Sequence, residues 1–208
     1  MLAGCRQPTE VSLVPVSYKD LCGLTSEQMG VMDDKNVRRW IEAEYNDIPL
    51  KSQEMISGES IVIYIWKYNG ITGNAYLRDG HLFRISLSDV ENGPTFGQVV
   101  AALGPPKVVD RSAGMYEPLL YTIVLDYPAL GVSVGVSNIE ERSRLTHQGE
   151  LAAPLTEDMQ IDHVDCYAPG SMEEVLREVF FLSPENVSYH IQRRMPWPGF
   201  GALIPLDY

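Results

Sequence analysis

Apolar and polar positions alternate in two different periods along this chain, and the switches between them mark its elements. Val37, Trp40, Ile41 and Tyr45 recur at helical spacing and make one apolar face. Asp33 and Asp34 stand at its start, where carboxylates cap free N–H groups and favour the helix dipole. From Ser60 to Tyr68 the chain turns β-branched and aromatic, which predicts a strand. Asn69-Gly70 and Asp79-Gly80 follow at hairpin spacing; both dipeptides suit the positive φ that a tight type I′ turn requires. The strands Ile71 to Arg78 and His81 to Ser88 complete a predicted three-strand meander.

Asn92-Gly93-Pro94 interrupts that pattern. Thr95 then caps a predicted helix from Phe96 to Leu103, with Val99, Val100 and Leu103 inward, and Gly104 followed by two prolines stops it. Strands are expected from Leu119 to Tyr127, from Gly131 to Ser137 and from Met159 to Tyr167, with a polar loop over Glu140 to Thr156. Ser171 and Glu174 form a capping-box sequence for a helix reaching about Phe181, and Pro184 opens another to about Gln192. The tail from Met195 to Gly201, rich in Pro and Gly, is expected to be irregular.

The order is helix, three strands, helix, three strands, helix. We therefore expect an α+β fold built as a tandem repeat, each unit a helix followed by a three-stranded antiparallel sheet, with the helices packed on one face. The division is 1–20 for an anchor site and tether, 21–92 and 93–168 for the two units, and 169–208 for a C-terminal helix and aromatic tail packed on the sheet.

Composition narrows the function. Hydrophobic residues make up 45% of the 208 and charged residues 21%, which suits a folded core. The net charge of −12 disfavours nucleic-acid binding, since phosphate is bound through Lys and Arg. No run of roughly 18 apolar residues occurs, so no helical membrane span is expected.

The opening Leu2-Ala3-Gly4-Cys5 resembles the lipobox of bacterial lipoproteins. The resemblance implies a diacylglyceryl group on Cys5 and attachment to the outer face of a bacterial membrane. The basic and apolar parts of a signal peptide do not precede it here; a start lying upstream would supply them, and a cytosolic chain with a chance match is the alternative. Arg6 to Ser17 shows no clear period and reads as a tether. With Cys5 lipidated, Cys22 and Cys166 remain, free to pair outside the cytoplasm or to stay buried as two small hydrophobes.

The stretch from Thr95 to Pro106 (Thr-Phe-Gly-Gln-Val-Val-Ala-Ala-Leu-Gly-Pro-Pro) resembles a helix-end segment of envelope lipoproteins of the BamE/SmpA type. Tandem β-lactamase inhibitor proteins share the same helix–strand arrangement. These likenesses imply a helical layer on an antiparallel sheet and a role in scaffolding or protein binding, with no catalysis and no cofactor. The expected partners are the membrane, through Cys5, and another envelope protein.

Catalytic chemistry has a single dense candidate, Asp162-His163-Val164-Asp165-Cys166. Strand alternation puts His163 and Asp165 on one face and Cys166 on the other, which argues against a Cys–His pair. A hydrolase with a site around His163 is the alternative function. No HxH or CxxC spacing seeds a metal site. Ser133 and Ser137 lack a nucleophile-elbow sequence. In the tail, Trp197, Phe200, Arg193 and Arg194 are candidate partner-binding residues, because aromatics and arginines dominate binding hot spots. The alternative is that Trp197 folds back as a lid on the sheet.

Overall fold

The structure, a computed structural model, describes residues 17–56, 58–113, 121–139, 144–145 and 151–205. Cys5 and most of the tether lie outside the described residues.

Local chemistry sets the helices. Helix α1 (Tyr18–Cys22) is a single short turn closed by reciprocal bonds between Ser17 and Asp20. Helix α2 (Asp34–Tyr45) starts at Asp33, whose carboxylate accepts the Asn36 N–H at 2.8 Å, and ends at Asn46 in the left-handed region. Its inward Val37 and Ile41 are fully buried, each contributing about 1.5–3 kcal/mol by burial. Helix α3 (Phe96–Leu103) carries a capping box between Thr95 and Gln98.

The strands follow in order: β1 (Leu50–Ile56), β2 (Glu59–Tyr68), β3 (Ile71–Arg78), β4 (His81–Ser88), β5 (Val108–Ala113), β6 (Tyr121–Tyr127), β7 (Val132–Ile139), β8 (Arg144–Leu145), β9 (Leu151–Pro154) and β10 (His163–Tyr167). The turns between β2, β3 and β4 fall at Asn69-Gly70 and Asp79-Gly80, all four residues at positive φ. After β10, helix α4 (Met172–Glu174) runs on into a π-helical turn over Val175–Val179, and α5 (Pro184–Arg193) follows. The tail from Met195 to Gly201 is not wholly irregular, since it opens with β11 (Met195–Pro196); β12 (Leu203–Pro205) follows it.

The tandem-repeat expectation is overturned. The strands form one nine-stranded antiparallel sheet in the order β1-β2-β3-β4-β10-β7-β6-β5-β11, beside a small sheet β12-β9-β8. The cause is β10. It hydrogen-bonds antiparallel to β4 on one side and to β7 on the other, so the two meanders share a strand and fuse. Nor do the helices keep to one face. Leu21 and Cys22 of α1, Val37 and Ile41 of α2, and Phe96 and Val99 of α3 join a large core with Val134, Val164 and Cys166. Tyr167, next along β10, points the other way and packs with Val175 and Val179 beneath the C-terminal helices. The sheet is thus covered on both faces.

A disulfide joins Cys22 at the end of α1 to Cys166 in β10, with Cα atoms 6.0 Å apart and a separation of 144 positions in sequence. Isolated helices as short as α1 are marginal, and this bond fixes it to the middle of the sheet.

Candidate functional site

Alternation along β10 turns His163, Asp165 and Tyr167 toward the C-terminal helices. The register brings Gly135 and Ser133 of β7 beside His163 and Asp165, and Asp126 of β6 beside Ser133. Val124 and Asp110 continue the row. Leu176, Phe180, Leu182, His190 and Arg194 close over it from above, leaving a cleft of about 310 Å³.

The cleft floor is a connected polar network. Arg194 reaches Asp126 and Asp110, each at 2.9 Å, and donates to the His190 carbonyl at 3.0 Å. The Ser133 hydroxyl donates to Asp126 at 2.6 Å and lies 2.7 Å from the Tyr167 hydroxyl. Asp126 is nearly sealed from solvent, 3% exposed, and that burial raises its pKa against the opposing pull of Arg194 and Ser133. Burial likewise pushes the Tyr167 phenol up, so it stays neutral, and pushes His190 down with help from Arg194. At the other end Arg84 grips one Asp165 oxygen with two nitrogens, at 2.8 and 2.9 Å, while its plane stacks on Phe180 at 4.5 Å.

His163 lies flat over Gly135. A Cβ at that position would sit 2.0 Å from the ring, so only glycine admits the histidine there. Its Nδ1 is 2.8 Å from Asp162, which also accepts the Ser137 N–H at 2.7 Å. The Ser137 hydroxyl is 3.3 Å from the same Nδ1. In a serine–histidine–aspartate relay the carboxylate and the nucleophile occupy opposite ring nitrogens. Here both partners meet one nitrogen, and Ser133 directs its proton to Asp126 with no imidazole between. The arrangement suits holding a ligand between a polar floor and the apolar roof of Leu176, Phe180 and Leu182. Among the described residues no group of three or more His, Cys, Asp or Glu is placed to hold a metal ion.

The four tail residues do not form one surface. Trp197 and Phe200 meet edge to face at 5.0 Å and pack, half-buried, against the main core. Arg193 donates to the Tyr189 hydroxyl and to the Arg111 carbonyl. Arg194 turns inward to the cleft, its side chain 9% exposed. Asp110, Asp126, Tyr167 and Arg84 also belong to this site, although no motif in the sequence singles them out. A signal for Asp126 exists: it is the lone charge in the mostly apolar run Tyr121 to Tyr127, at an inward-facing position. A second, more apolar groove of about 410 Å³ runs beside α1, walled by Tyr45, Tyr68, Ile71 and Leu87.

Comparison with protein-family models, with curated proteins and with solved structures gives no match for this chain. Among the described residues no helix is long and apolar enough to cross a membrane.

Proposed function

We propose that this chain is an extracytoplasmic binding module, held on the outer face of a bacterial membrane by a lipid on Cys5, that docks another envelope protein and performs no covalent chemistry. The Cys22–Cys166 disulfide carries the reading. Such bonds form and persist in oxidising compartments and are rare in the cytosol. Its position adds a mechanical argument. The bond ties α1, the first element after the tether, to the central strand β10, so load on the anchor passes to the sheet. The cleft supports binding over catalysis, because Asp162 and Ser137 crowd one nitrogen of His163 and form no relay among the described residues.

The test is thiol trapping in intact cells. A bulky maleimide applied under denaturing quench labels neither Cys22 nor Cys166 until a reductant is added. Labelling of both without reductant overturns the proposal, because the chain then resides where thiols are kept reduced.

A further inference from the structure

The two ends of the nine-stranded sheet differ. At one end β11 is two residues long and holds Pro196, which has no N–H to offer a further strand. At the other, β1 pairs with β2 in unbroken register along all seven residues, and among the described residues its outer edge pairs with nothing. Proteins blunt such edges with proline, bulges or short strands. β1 is seven residues long with no proline or bulge; of its two charges, which also blunt edges, Lys51 is neutralised by Asp34 at 2.7 Å, and the strand exposes Leu50 at 73% and Met55 at 69%.

Its sequence is complementary to itself. A two-fold axis that joins two antiparallel edges stands perpendicular to the sheet, so each residue faces one of its own parity. With the axis through Gln53, all seven residues of both strands find partners. Leu50 then opposes Ile56, Lys51 opposes Met55, Ser52 opposes Glu54 and Gln53 opposes itself. Moving the axis to Glu54 sets two carboxylates face to face; moving it to Ser52 sets Leu50 against Glu54. Only the central register keeps like charges apart and covers the exposed leucine with an apolar side chain.

We propose that β1 is a self-docking edge and that two copies of this chain join β1 to β1 about Gln53 into one continuous sheet. The blunt β11 edge makes the assembly a closed dimer and not a filament. The net charge of −12 on each copy opposes the union, so the dimer tightens as salt rises. β1 contributes no residue to the cleft.

Sedimentation equilibrium on the full chain carrying Cys5→Ser tests it, with Met55→Glu and Met55→Lys beside it. Both substitutions lie at an exposed position and leave the fold intact, as thermal melts will verify. In the proposed register each copy's position 55 faces Lys51 of the other. Met55→Glu therefore dimerises roughly tenfold or more tightly than Met55→Lys, through two symmetric cross-strand pairs. Gln53→Cys copies, self-opposed at the axis, cross-link into a covalent dimer under mild oxidation. A chain that stays monomeric into the millimolar range overturns the proposal. So does a dimer that is indifferent to the charge at position 55 and gives no Gln53→Cys cross-link.

Discussion

Replacing Arg194 with methionine removes the one guanidinium that, among the described residues, is bonded to Asp126, and leaves that carboxylate sealed inside the cleft. The lost contacts are two ion pairs of 2.9 Å, one to Asp126 and one to Asp110, and the bond to the His190 carbonyl. The side chains of Arg194 and Asp126 are 9% and 5% exposed, so water cannot replace the missing cation. Breaking one side of a buried pair costs about 3–5 kcal/mol, most of it the stranded charge. Asp126→Asn in the same chain removes that charge, and the double variant should recover about half of the loss or more. Urea denaturation followed by tryptophan fluorescence and circular dichroism gives both numbers. The pH dependence adds a sign. Burial raises the Asp126 pKa above its unfolded value, so its contribution to stability is fully present below the unfolded value and is lost as pH rises through the folded one. Relative to Asp126→Asn, the parent chain therefore gains stability as the solution is acidified from neutrality, and it gains more in the Arg194→Met background. A loss under about 1 kcal/mol for Arg194→Met, with no rescue by Asp126→Asn, refutes the reasoning.

Other perturbations probe the remaining contacts. Reducing the Cys22–Cys166 bond, or replacing both cysteines with serine, releases a loop closed across a separation of 144 positions, and chain entropy sets the cost at up to about 5 kcal/mol; denaturation midpoints that coincide with and without reductant would contradict this. Trp197→Ala loses the edge-to-face pair with Phe200 and its packing on the core, at about 2 kcal/mol in a thermal melt. An unchanged melt with lost partner capture would instead make Trp197 a contact residue. Gly135→Ala drives a methyl into the His163 ring, so the imidazole resonances move in NMR spectra and stability falls by about 1–3 kcal/mol; unchanged resonances would mean that the ring does not rest on the glycine.

What could be read from the sequence was local. The Asn-Gly and Asp-Gly turns, the caps at Asp33, Thr95 and Ser171, and the alternating runs in β2 to β4 each state their geometry within a few residues. β1 escaped because an edge strand exposed on both faces needs no apolar alternation: Leu-Lys-Ser-Gln-Glu-Met-Ile carries none. β5 escaped for a related reason, since Asp110 and Arg111 interrupt its apolar run and find partners from elsewhere in the fold, in Arg194, Arg193 and Met195. The tandem arrangement failed on a non-local fact. Nothing in the residues of β10 says that it will enter between β4 and β7, about eighty residues away on one side and thirty on the other, and pairing at such separations is decided by the whole core. The cleft was hidden in the same way, because Asp110, Asp126, Ser133, Asp165 and Arg194 come from four strands and a helix end. The Cys22–Cys166 pair was within reach of counting alone, once Cys5 was set aside for a lipid.

The central claim, a module anchored outside the cytoplasm through Cys5, is tested most directly by detergent-phase partitioning of the protein expressed from its native locus, next to a Cys5→Ser version. The account predicts that the parent chain enters the detergent phase and the serine variant stays aqueous. If both stay aqueous, there is no lipid on Cys5 and the account is contradicted.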